Sequence, residues 1–131
     1  MQDNFIKWKY VLPFDISAIE NVEDYFQAKI PDDYKTLLPL INSAKPTLDN
    51  FDIPGRKACV LDYMHNITDV ISASIATGHT DFISFACDPF GNHIGYRLNE
   101  GGGAKVYFWD HETDTFIDCA LSLSDLIDGL Y

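Results

Sequence analysis

The sequence predicts an α+β fold in which helices pack on one face of an antiparallel meander sheet. Three observations lead there. Apolar residues recur at spacings of three and four over residues 17–41 and again after Ser122, which is the helical period. Between residues 82 and 120 the pattern changes to period two in four short segments joined by polar links, the mark of strands that follow one another in an antiparallel sheet. The chain has 131 residues and no internal repeat, low-complexity tract or linker, so residues 1–131 read as a single domain with one core.

Residues 4–11 alternate weakly and fit either a short strand or an opening helical turn, closed by Pro13. Ser17 with Glu20 three residues later has the form of a capping box. Ile19, Val22 and Phe26 then share one face to about Ala28, with Ile16 placed to staple the start. Ile30-Pro31-Asp32-Asp33 opens a second helix, since proline fits the first turn and the carboxylates face the positive end of the dipole. Its stripe is Tyr34, Leu37, Leu38 and Ile41. Pro39 removes a backbone hydrogen bond, at about 3 kcal/mol, and predicts a kink or an end near Leu38. Pro46, Pro54 and Gly55 make residues 42–57 a long loop, with room for a short strand around Phe51.

Ala58 to Met64 is the first clear strand. Thr68 then caps a short helix with Val70, Ile71 and Ile75 inward, ending at Gly78. The meander follows as Phe82 to Cys87, Ile94 to Leu98, Val106 to Trp109 and Phe116 to Ala120. Ser122 caps a last helix with Leu123, Leu126, Ile127 and Leu130 on one side.

Composition excludes several functions. Twenty acidic against nine basic side chains give a net charge of −11, a poor surface for nucleic acid or anionic membrane. The excess is uneven: residues 1–58 carry −2 and residues 59–131 carry −9, with Arg97 and Lys105 the basic residues of the second part. No stretch reaches the ~20 apolar residues of a membrane span, and the first residues lack the pattern of a signal peptide, so a cytoplasmic location is expected. Cys59, Cys87 and Cys119 are scattered and odd in number, suggesting reduced thiols and no zinc site.

Four segments, taken together, resemble the SUKH superfamily, the group of the fungal Smi and Knr cell-wall regulators and of many bacterial toxin-immunity proteins. They are Ile19 to Phe26 with Ile30-Pro31-Asp32-Asp33-Tyr34-Lys35; Phe82 to Asn92 with its Asp-x-x-Gly-Asn turn; Val106 to Glu112, carrying an aromatic, an Asp and a His; and Ala120 to Leu130. The chain departs from the family pattern at Ser43-Ala44, where Gly-Gly is common, and at Pro39. The resemblance implies a SUKH-like α+β fold without catalytic apparatus, acting as an immunity protein that binds and neutralises a bacterial polymorphic or contact-delivered toxin, such as a nuclease, by occlusion. The alternative is a regulatory or scaffold binding module of the same fold.

The candidate sites are few. Asp88-Pro89-Phe90-Gly91-Asn92 has the residues of a tight turn, and Gly101-Gly102-Gly103 those of a hairpin tip and not of a phosphate loop. His65, His79, His93 and His111 lack metal-ligand spacing, so no metal or cofactor is expected. Asp110-His111-Glu112 holds an acid and a base, but neighbours on a strand point to opposite sides and no nucleophile is tied to them; a small enzyme working near His111 is the third reading. The strip Tyr107, Trp109, Asp110, Glu112, Asp114 and Asp118 is the candidate partner-binding surface. Alternation puts Val106 and Phe108 on one face and Tyr107 and Trp109 on the other, so a second layer of the domain or a partner must cover the latter. A basic toxin domain is the expected partner, with Trp109 as anchor and carboxylates at the rim.

Overall fold

A computed structural model describes residues 6–100 and 103–131. The fold is α+β, and its centre is a five-stranded antiparallel meander, β5 to β9 in sequence order. The elements are β1 Trp8–Lys9, α1 Ile16–Phe26, α2 Asp32–Ile41, β2 Lys45–Pro46, β3 Asn50–Ile53, β4 Arg56–Val60, β5 Tyr63–Met64, α3 Val70–Ala76, β6 Phe82–Cys87, β7 His93–Arg97, β8 Val106–Asp110, β9 Thr115–Ala120 and α4 Leu123–Asp128. Asn4, Phe5, Gly101 and Gly102 belong to readings that lie outside the described residues.

α1 begins one residue before the expected cap. Asp15 is the cap, its carboxylate accepting the Ser17 N–H at 2.9 Å, and Ile16 is 70% exposed and staples nothing. Ala18, Ile19, Val22 and Phe26 are buried, and Gln27 ends the helix in the left-handed region at φ 52°, short of Ala28. α2 runs through Pro39 to Ile41 without ending at Leu38. Pro39 lies on the exposed side, where water can satisfy the Lys35 carbonyl that proline leaves unbonded. Asn42 then takes over: fully buried, it accepts the Ile67 N–H at 2.8 Å and donates to the Leu12 carbonyl at 3.0 Å, pinning two distant segments to the end of α2. Ser43 follows at φ 64°, a backbone region that suits glycine.

Half of the expected long loop over residues 42–57 is strand, including the short strand expected around Phe51. β2 pairs with β1, and β3 with β4 in a hairpin turning at Pro54-Gly55. The strand expected over Ala58 to Met64 divides at Leu61-Asp62, β4 belonging to the hairpin and β5 to the meander. Asn66, and not Thr68, caps the next turn, a 3-10 helix over Ile67–Asp69 that leads into α3. In α3, Val70 and Ser74 face inward, and Ile75 is 58% exposed.

Ser74 takes the inward place for a reason. β5 pairs with β6 at Ala86 and Cys87, and the His65 N–H just beyond it reaches the Phe85 carbonyl at 2.8 Å, so the first half of β6 has an open edge. The Ser74 hydroxyl donates to the Val70 carbonyl at 2.7 Å and accepts the Ser84 N–H at 2.8 Å, so α3 closes that edge in place of a strand. Gly95 lies opposite Ser84 in β7, and a Cβ there would stand 2.0 Å from the Ile83 carbonyl oxygen, so only glycine fits.

One face of the sheet carries the main core. Ile83, Phe85, Ile94, Tyr96, Val106 and Phe108 pack there with the buried faces of α1, α2 and α4, so the helical layer sits on one side as expected. The opposite face holds a smaller cluster of Phe82, Tyr107 and Trp109 with Phe116 against it.

Candidate protein-binding surface

Alternation along β8 does what the sequence requires: Val106 and Phe108 enter the helical core, Tyr107 and Trp109 the opposite face. That second face is closed by the chain itself. The Arg97 guanidinium lies over the Phe116 ring at 4.3 Å and the Tyr107 ring at 5.4 Å, and the Lys105 ammonium over Tyr107 at 5.3 Å. His79 meets Phe116 and Trp109 edge-on, and His93 meets Trp109 in the same way.

The six strip residues consequently divide. Tyr107, Trp109 and Asp110 are buried, with 6%, 7% and 4% of their surface exposed, so Trp109 is a support inside the fold and not an exposed anchor. Glu112, Asp114 and Asp118 are exposed. Asp110 pairs with Arg56 of β4 and accepts the Glu112 N–H at 2.9 Å, shaping the β8–β9 turn. The Arg56 guanidinium holds its carboxyl below the usual range. Asp114, at φ 52°, bonds His79 Nε2 at 2.6 Å and accepts from the Trp109 indole at 2.8 Å, and both bonds, His79 first, lower its pKa. Asp118 pairs with Lys105 at 3.0 Å. Arg97 serves rings and Lys105 serves a carboxylate, so the two basic residues of the acidic half are both engaged within it.

The turn at Asp88–Asn92 is a structural lock. Asp88 Oδ1 accepts the Phe90 and Asn92 N–H groups, and the Asn92 side chain donates to Asp88 Oδ2. Asn92 Oδ1 in turn accepts from the His111 backbone and ring, tying this turn to the β8–β9 turn. Gly91 sits at φ 94° with the His111 ring 3.2 Å from where a Cβ would be. Phe90 is 71% exposed and takes no part in the lock except through its N–H. It borders a cleft of about 400 Å³ with Arg56, Lys57, Phe108 and Glu112. Sequence reading passed over Phe90 because the turn explained its neighbours; the usable signal was an aromatic at a turn position that needs none.

Two arrangements resemble catalytic pairs. His111 bonds Asn92 while Asp110 turns to Arg56, so the acid and base next to each other in sequence do not meet. Ser84 Oγ lies 2.8 Å from His93 Nδ1 and 3.1 Å from His65 Nε2, yet Ser84 is fully buried and no substrate atom can approach it. Burial holds the His65 imidazole down to about 4, with His93 adding to the effect, and burial likewise lowers His93. Among the described residues no group of three or more His, Cys, Asp or Glu stands close enough to hold a metal ion. None of their helices is long and apolar enough to cross a membrane.

The family model of SMI1-KNR4 cell-wall proteins matches residues 16–127. The chain belongs to the SMI1-KNR4 family. The match spans α1 to α4 and takes in the Asp88–Asn92 lock and the β8–β9 hairpin, so the segments that carried the resemblance are ones with defined roles in this SMI1-KNR4 fold. No curated protein matches the chain.

Proposed function

We propose that this SMI1-KNR4 protein is an immunity-type binding protein that occludes a basic toxin domain, without chemistry of its own. One observation carries the reading: the β8–β9 hairpin presents Glu112, Asp114 and Asp118 to solvent on a base made rigid by Trp109, Asp110 and Tyr107. The bonds of Asp114 to His79 and of Asp118 to Lys105 do not weaken it much. Both carboxylates are 64% exposed, where such bonds are weak, screened by salt and readily exchanged for a partner's cation. A surface of this charge gains chiefly in association rate, and tight binding then depends on a few buried contacts.

Co-expression with the product of a toxin gene adjacent to its own tests the reading. Rescue of growth by the native chain, and slower neutralisation by Glu112→Lys with Asp118→Lys, is the expected result. Failure to protect against any neighbouring toxin, with recovery of endogenous regulatory proteins by affinity capture, would favour the scaffold alternative.

A further inference from the structure

Between the C-terminal end of α1 and α3 runs a groove of about 320 Å³, lined by Tyr25, Phe26, Ile75, Gly78, His79 and Thr80. Its two apolar walls do nothing for the core. Tyr25 is 53% exposed and touches Phe26 edge-on, and Ile75 is 58% exposed because Ser74 holds the inward position. Such side chains on either side of a depression can grip one large apolar side chain from outside.

Charge says what kind of molecule brings it. The walls come from stretches 10–28 and 58–96, and neither contains a lysine or arginine. Asp81 follows Thr80, and His79 at the groove's end is bonded to Asp114 of the hairpin, whereas Asp24 of α1 belongs to a separate recess with Glu20 and Glu23. Of the nearest cations in sequence, Arg97 lies over aromatic rings, and Lys29, 86% exposed and 3.7 Å from Glu23, lines that separate recess with Glu20, Glu23 and Asp24. The cleft beside Phe90 differs, having Arg56 and Lys57 in its wall.

We infer that the α1–α3 groove is the anchor site for a basic protein segment that inserts one large apolar side chain between Tyr25 and Ile75 while its cations meet Asp81 and Asp114. This deepens the proposed function and rests on it for the identity of the partner. The bond between His79 and Asp114 makes groove and hairpin one surface, with the apolar anchor at one end and the acidic rim at the other.

The groove can be tested without the natural partner. The probe is a short helical peptide with one leucine stripe and lysine elsewhere, titrated into isotope-labelled protein and followed by amide chemical shifts. Expected are shifts at residues 25–26 and 75–80, and about tenfold or greater weakening in the Tyr25→Ala, Ile75→Ala double variant. A control peptide with alanine for leucine should lose the shifts at those residues. Shifts confined to residues 56–60 and 88–92, or unchanged affinity in the double variant, would overturn the inference; because both residues are exposed, the variant is expected to fold, and its spectrum reports whether it does. Toxin co-expression separates the two claims. If the double variant still neutralises fully while Glu112→Lys with Asp118→Lys does not, the groove fails and the function stands. If the native chain neutralises no toxin but the peptide maps to the groove, the function fails and the groove stands.

Discussion

The two faces of the meander are closed by different physics. On the helical side Ile83, Phe85, Ile94, Tyr96 and Phe108 meet α1, α2 and α4 in a continuous apolar core, where stability comes from burial and close packing. On the other side, among the described residues, no helical layer lies over Phe82, Tyr107 and Trp109. They are roofed by Phe116, by the stems and charges of Arg97 and Lys105, and by His79 fixed to Asp114. The first face is insulated from solvent conditions; the second has ionisable groups in its roof and keeps its outer carboxylates in water. A domain built this way has a stable half that sets the shape and a polar half that is free to meet another molecule.

Truncating the helical side should have the largest effect. Phe85 is fully buried against Tyr34 and Tyr96, so Phe85→Ala is expected to cost about 3–5 kcal/mol in chemical denaturation. The loss should be the same at low and high salt; a strong salt dependence would mean the two faces are not separate in kind.

Acid should act through the other face. His65 has its folded pKa depressed to about 4 against about 6.5 in the unfolded chain, so below pH 6.5 the unfolded state binds a proton that the native state refuses. Stability is therefore lost as pH falls from about 6.5 to 4, on the order of 3 kcal/mol from His65, with His93 contributing in the same direction. Denaturation measured across this range should show a shallower slope in His65→Gln than in the native chain. An equal slope would assign the acid sensitivity to other groups.

The smallest effect is expected at the roof's exposed bond between Asp114 and His79. Asp114→Asn keeps an acceptor for the Trp109 indole and tolerates φ 52°, but loses the charge facing His79. It should cost little stability, and less in high salt, with little change in Trp109 fluorescence. A larger loss would make the pair a structural element of the second face.

Much of the fold could be read from sequence because period and caps are local. The meander strands agree with the sequence to within a residue or two, and Ser122 caps α4 as expected, its hydroxyl accepting the Asp125 N–H. What was hidden depended on distant partners. The hairpin of β3 and β4 is short and interrupted by proline and glycine, so its strands carry no visible period. Ile75 reads as an inward residue until Ser84, ten positions away, claims Ser74 for its N–H. Trp109 and Asp110 sit in an acidic, aromatic strip by sequence, yet Asp114, His79 and Arg56 draw both inside. Carboxylate positions were legible; which of them stay in water was not, because that is decided by residues up to 54 positions away in sequence.

The most direct test of the account is hydrogen exchange on the protein alone and in complex with a basic toxin domain, the partner proposed for it. The account predicts added protection at residues 25–26, 75–80 and 111–118, with the helical core unchanged. Protection centred on Phe90 and residues 56–60, with the groove and the hairpin exchanging as in the free protein, would contradict it.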